Sequence, residues 1–218
     1  MGAETEYLKL LRRPDLPSEE IERILRDREA RRYHAVRFAV AGHRNTPRAE
    51  ALSLVETLFW RALARLSADT RVHPEVRRAS DNQLLRRLPE LALTERIDLA
   101  RSAGRGTLAA LRLDPDPRVV AGFLANRFTT EPDVVQVVLA TRSRPETLAA
   151  IAEHPRWAPR RAVREALLRN PSLPLAAAEP LLAQAAEREL IALRDGLREP
   201  PALRAVAQRV LARRARAD

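Results

Sequence analysis

The chain has 218 residues, of which 45% are hydrophobic, 4% aromatic and none cysteine, with a formal charge of +10. The missing cysteines exclude disulfides, thiolate zinc sites, iron–sulfur clusters and cysteine nucleophiles. No apolar run reaches the roughly 18 to 20 residues of a membrane span, and none alternates with the period of a strand, so an Ala- and Leu-rich all-α protein is expected.

In chain order, residues 1–13 predict a short helix with Tyr7, Leu8, Leu10 and Leu11 available for packing. Its acidic start lacks the apolar region of a signal peptide, and Glu6 breaks the myristoylation pattern after Gly2. A soluble cytoplasmic protein without a transmembrane segment is expected. Pro14 and Pro17 break the helix, and Ser18 is expected to cap the next one, whose stripe is Ile21, Ile24 and Leu25. Residues 30–42 place Val36, Phe38, Ala39 and Val40 on a third helix. One long amphipathic helix is expected from Pro47 to about Leu66, with Leu58, Phe59 and Trp60 in the core.

Pro74 opens the following helix, with Val76, Ala79, Leu84, Leu85 and Leu88 apolar. Thr94 and Thr107 read as N-caps of the next two, and Gly104 to Gly106 as a turn. Thr130 reads as a further cap, before a helix whose valines and Leu139 suggest burial on most sides. Pro145 starts another short helix, residues 155–159 turn, and a helix follows to Asn170. A second long helix is expected over 175–194, and a basic one over 202–214.

The stretch TLAALRLDPDPRVVAGFLAN (107–126) is echoed by TLAAIAEHPRWAPRRAVREALLRN (147–170). Val36, Val76, Val119, Val163 and Val206 begin successive units, spaced 40, 43, 44 and 43 residues apart. Arg37, Arg77 and Arg164 follow three of these valines, and Asn126 and Asn170 close two of the helices as expected left-handed C-caps. A period of about 40 to 47 residues with two or three helices per unit is the signature of HEAT and armadillo arrays. HPEVRRA at His73 and DPDPRVV at Asp114 resemble the turn and second-helix start of HEAT repeats. The three-helix units are also similar to armadillo repeats and to the bacterial leucine-rich repeat variant.

The resemblance implies a right-handed α-solenoid of about four to five units with one concave face. The resemblance covers roughly residues 15–215, and a single α-solenoid domain over 1–218 is expected. Residues 1–30 form an N-terminal cap, 31–194 the repeats with a period of about 40–44, and 195–218 a basic capping helix.

No GxSxG, Walker or GxGxxG pattern occurs. His34, His43, His73 and His154 lack metal-site spacing and are expected to pair locally. Asp114 and Asp116 read as caps. Lys9 is the only lysine, so 38 of the 39 basic residues are arginine, a bias that a GC-rich genome imposes on any solvated surface.

The candidate binding cluster is Arg156, Trp157, Arg160, Arg161, Arg164 and Arg169, because arginine grips phosphate and tryptophan stacks on a base. HEAT-like DNA glycosylases use an Asp beside such residues, but here the nearest acids are Glu153 and Glu165. The expected function is therefore a non-catalytic scaffold without a cofactor, holding a protein or peptide on its concave face. Nucleic-acid binding around Trp157 is the alternative, and a DNA glycosylase is the third reading.

Overall fold

The computed structural model describes residues 2–196 and 201–216. Its first helices are α1 (Ala3–Leu11), α2 (Ser18–Arg26), α3 (Arg28–Arg32), α4 (His34–Gly42), α5 (Arg48–Glu56), α6 (Trp60–Ala68), α7 (Pro74–Arg87), α8 (Leu93–Ser102) and α9 (Arg105–Leu111). They continue as α10 (Pro117–Ala125), α11 (Glu131–Leu139), α12 (Pro145–Ala152), α13 (Arg161–Arg169), α14 (Leu175–Ala183), α15 (Glu187–Asp195) and α16 (Pro201–Arg214). A 3-10 turn, Leu88–Glu90, follows α7, and the described residues contain no strand. The protein is all-α. The expected terminal caps include residues 1, 197–200, 217 and 218, which lie outside the described residues.

By internal contacts the chain forms two compact units. One comprises Met1–Leu111 with Asn126–Phe128, the other Arg112–Ala125 with Thr129–Asp218. In each, helices pack both on the next helix, most extensively α6 on α7 in the first and α15 on α16 in the second, and on the helix two further along the chain: α5 on α7, α6 on α8 and α7 on α9 in the first, and α10 on α12, α11 on α13 and α12 on α14 in the second. Leu58, Leu63, Leu84 and Leu99 are fully buried in the first core, and Val134, Leu148, Ile151 and Leu182 in the second. Each such side chain contributes roughly 1.5–3 kcal/mol by leaving water. The apolar stripes thus need helices on both sides.

Among the described residues, five connections share one joint. The nine-residue helices α4, α6, α10, α11 and α13 are each followed by five residues before the next helix begins. In four of these joints the N–H of the fourth residue donates to the first residue's carbonyl: Thr46 to His43, Val72 to Asp69, Ser143 to Ala140 and Leu173 to Asn170, at 3.0–3.1 Å. In four, the first residue's side chain accepts the third residue's N–H: His43 from Asn45 at 3.2 Å, Asp69 from Arg71 at 3.0 Å, and Asn126 from Phe128 and Asn170 from Ser172 at 2.8 Å. This is the local turn chemistry that makes Asn and Asp frequent at such positions. His43 takes the same role through its imidazole.

Residues 34–87 and 161–214 have the same internal layout. The bounds of α4, α5, α6 and α7 differ from those of α13, α14, α15 and α16 by 127 residues throughout (161−34, 175−48, 187−60, 201−74). That offset is three repeat periods. The tertiary bonds repeat with it. Arg87 donates to the carbonyls of Glu56 at 2.9 Å and Leu58 at 2.6 Å, while Arg214 donates to those of Ala183 at 2.8 Å and Ala185 at 2.9 Å. The layout also revises the last anchor. Val36, Val76, Val119 and Val163 are each the third residue of their helix, and in α16 that place belongs to Leu203, followed by Arg204. The anchors are buried, and the Nε atoms of Arg37, Arg77, Arg164 and Arg204 are buried behind them without a hydrogen-bond partner. These arginines are a packing feature of the repeat, with stems lying along apolar surface.

Several expected elements differ. The two long helices, 47–66 and 175–194, are each broken by three residues. Thr57 and Gln184 end the first halves with φ near −95° and −99°, and their N–H groups bond the last carbonyls. Leu58 and Ala185 are buried by the turn, so apolar spacing continues through a break that it cannot reveal. Phe59 is 66% exposed, and Trp60 is half-exposed with its Nε1–H on Glu95 at 2.9 Å. Neither is a core residue. Ser18, Thr94 and Thr107 lie inside helices rather than at caps. Gly106 is helical too, and the buried Thr107 donates its N–H and hydroxyl to Asp81 at 3.0 and 2.7 Å. Thr130 does cap α11, with Asp133 accepting its N–H and hydroxyl. Leu139 is 64% exposed, so α11 buries one face only. No non-glycine residue among those described has positive φ. Asn126 and Asn170 are therefore not left-handed caps. Their amides reach earlier helices, Asn126 to the carbonyls of Ala100 and Ala103 and Asn170 to that of Val138.

Candidate functional site

The arginine cluster around Trp157 separates into a structural half and an open half. Residues 154–159 turn the chain between α12 and α13. Trp157 closes this turn and is 2% exposed, with its Nε1–H donated to the carbonyl of Leu124 at 2.8 Å. Burial satisfies the indole, so it is not available to stack on a base. Arg156 lies over its ring, 4.2 Å from the centroid, and donates to the carbonyl of Thr129 at 3.1 Å. Arg160 is the exposed N-cap of α13, its N–H bonded to the carbonyl of Trp157.

Arg161, Arg164 and Arg169 line a cleft of about 400 Å3 between α13 and α15. Its fourth arginine is Arg188, its acids are Glu165 and Glu189, and its apolar wall is Leu168, Ala192 and Leu193. Glu189 organises it. As the third residue of α15 it accepts the N–H of Ala186 at 3.2 Å, which satisfies one helix N-terminal donor. It also takes Nη2 of Arg164 at 3.1 Å, in a pair only 12% and 15% exposed. Arg161 donates Nε to Glu165 at 2.7 Å, one helical turn away. That hydrogen bond holds the Glu165 carboxyl below its usual range and the Arg161 guanidinium above its own. Glu165 therefore stays ionised at neutral pH and is a poor proton donor. Arg169 and Arg188 are exposed and form no ion pair with a described residue. Four guanidiniums against two carboxylates leave the lining cationic. Such a cleft can grip carboxylates and cover an apolar side chain, and it presents no nucleophile with an adjacent base.

The residues missed by sequence are those of α15. Reading 175–194 as one helix hid an N-terminus at Ala186, and hence the capping place of Glu189. The acid three residues into ERELIALRD was the available signal.

The other candidates are occupied locally. Asp114 accepts the N–H of Asp116 at 2.9 Å, and Asp116 accepts the N–H of Arg118 at 2.9 Å and its guanidinium at 2.9–3.0 Å. His34 Nε2 accepts the N–H of Phe59 at 3.1 Å, and His43 Nε2 bonds the carbonyl of Arg13 at 2.9 Å. His73 and His154 each accept an N–H two residues on, at 3.2 Å. Burial pushes His34 and His154 below the usual histidine range, with Arg37 and Arg156 adding to the shift. Among the described residues no three His, Asp or Glu side chains converge as a metal site would require.

No family model matches the chain, and neither a curated protein nor a solved structure shows significant similarity to it.

Proposed function

We propose that the protein is a non-catalytic helical-repeat scaffold of HEAT or armadillo type, a right-handed solenoid that holds a protein or peptide partner along its concave face. The α13–α15 cleft is assigned to that contact. The observation that carries this reading is the use made of the arginines. Along the chain they alternate with acids, as in Arg48–Glu75, Arg61–Asp98, Arg118–Asp116, Arg164–Glu189 and Arg209–Glu179. Others, such as Arg87, Arg127, Arg144 and Arg214, are bound to backbone carbonyls. Many of the arginines behind the charge of +10 are thus interleaved with acids or fixed on carbonyls, whereas a phosphate backbone is met by many uncompensated cations.

Selection from a displayed random-peptide library tests the reading. Enriched peptides should lose binding to an Arg169→Glu, Arg188→Glu double variant, and failure to enrich any peptide would overturn it. Nucleic-acid binding is the second reading, favoured by the unpaired Arg169 and Arg188. Mixed-sequence DNA titrated at about 50 mM and about 200 mM salt decides it. The scaffold reading expects no saturable binding at either. Saturable binding that weakens steeply with salt would replace it.

A further inference from the structure

A second groove, of about 720 Å3, lies within the first unit between α1, α4 and α6. Its floor is apolar: Leu11, Leu66 and Val72 are buried, and Phe38 is half-buried beside them. Four arginines line it, Arg12, Arg44, Arg65 and Arg71, against the single acid Asp69. That acid is already neutralised. Arg71 donates to both its oxygens, at 3.0 and 2.8 Å, and holds the carboxyl down at about 2. Arg12 and Arg65 are exposed and form no ion pair with a described residue. The Arg65 guanidinium lies 4.7 Å from the centre of the Phe38 ring, which orients it beside the floor. Arg44 is fixed through Nε on the carbonyl of Pro14 at 2.7 Å, and Asp15 is the acid outside the groove that feels its charge.

The 127-residue correspondence relates this groove in part to the α13–α15 cleft, since α4 and α6 match α13 and α15 and Phe38, Gly42, Arg65 and Leu66 fall at lining positions of both. The two differ at the positions that decide what fits. Gly42 stands where the other cleft has Arg169, Phe38 where it has Glu165, and Arg65 where it has Ala192. A Cβ at Gly42 would come within 3.1 Å of Leu66 Cδ2, so the glycine keeps open the space that an arginine occupies in the counterpart.

We infer that this groove docks a short acidic and apolar peptide segment of a partner protein, with its aliphatic side chains on Phe38, Leu66 and Val72 and its carboxylates on Arg12, Arg44 and Arg65. The site rests on the scaffold reading and names a second contact for it. A peptide fits better than nucleic acid on two grounds. The floor is hydrophobic rather than a run of stacking surfaces, and the volume suits a few side chains.

The probe is a fluorescein-labelled eight-residue peptide of leucine and glutamate, followed by anisotropy with the full chain. Three comparison ligands are its leucine–glutamine analogue, octaglutamate and an eight-residue oligothymidylate. The leucine–glutamate peptide should bind most tightly, and Arg65→Glu and Arg12→Glu should each weaken it about tenfold, the effect of losing roughly 1.4 kcal/mol. Both side chains are exposed, so these changes spare the core, and Arg65→Lys should give an intermediate loss with the helical circular dichroism unchanged. Arg142→Glu, an exposed change outside both clefts, should leave this affinity unaltered. Equal binding of the glutamine analogue or the oligothymidylate would overturn the proposal. So would a peptide affinity that falls with Arg188→Glu but not with Arg65→Glu, which would place the contact in the other cleft and leave the scaffold reading intact. Absence of binding by the leucine–glutamate peptide would overturn the groove assignment, whereas the scaffold reading fails only if the random library also yields nothing.

Discussion

Within the first unit, Asn126 offers the sharpest measure of what a buried side-chain amide contributes. It is 1% exposed. Its Nδ2 donates to the carbonyls of Ala100 at 2.9 Å and Ala103 at 3.1 Å, and its Oδ1 accepts the N–H of Phe128 at 2.8 Å. Ala100 lies in the last turn of α8, where a carbonyl has no helical donor ahead of it, and Gly104, the residue that would supply one, donates instead to the hydroxyl of Ser67. Asn126→Ala removes three hydrogen bonds, worth about 1 kcal/mol each, and leaves buried carbonyls without a donor. The expected loss is about 3–4 kcal/mol, or roughly 6–16 °C in Tm for a chain of this size. Asn126→Asp preserves shape and the acceptor but points carboxylate oxygen at two carbonyls, so it should cost at least as much. Asn170→Ala loses one strap to Val138 and one turn bond, at a half-buried site, and should cost about half as much. Urea unfolding followed by circular dichroism measures all three. A loss below about 1 kcal/mol for Asn126→Ala, or a milder effect of the aspartate, would refute the strap argument.

Arg87→Ala and Arg214→Ala should destabilise to a similar extent, about 1 kcal/mol each, because each removes two partly exposed bonds at equivalent breaks. Denaturation midpoints that differ widely would count against the equivalence. Trp157→Phe should cost about 2 kcal/mol through the lost Leu124 bond and the cavity left by the indole. In the wild type, acrylamide should quench Trp60 but not Trp157, and equal quenching would contradict the burial. His34 has a folded-state pKa below its ordinary 6.5, because burial disfavours the cation. Its neutral Nε2 accepts the N–H of Phe59 at 3.1 Å. Its contribution is therefore full above about pH 6.5 and declines as the pH falls below that value. Replacement by Ala should flatten this part of the stability profile, and an NMR titration midpoint above 6.5 would reverse the sign.

How much of this was legible beforehand follows from what kind of signal each feature leaves. The all-α class came from composition. The repeat came from the spacing of Val36, Val76, Val119 and Val163, which are all buried as the third residue of their helices. The joints were marked by Pro47, Pro74 and the Asn residues, because turns and helix ends use local chemistry written in a few adjacent side chains. The cap at Thr130 was readable for the same reason. The candidate site was readable only in part. Arginines 161, 164 and 169 were visible as a cluster, but a sequence run cannot show that Trp157 turns inward onto Leu124 while Arg188 and Glu189 arrive from another helix.

By itself, then, the sequence determined the helical class, the period and most of the joints, each set by residues near one another along the chain. Tertiary structure decided where the two long apolar stretches break. Neither Thr57–Phe59 nor Gln184–Ala186 contains Pro or Gly, and the apolar spacing runs through both. The carbonyls released at these breaks are taken up by Arg87 and Arg214, guanidiniums some 30 residues away. A broken helix leaves backbone groups that must find partners. Where the partner is distant in sequence, only the folded chain brings it into place.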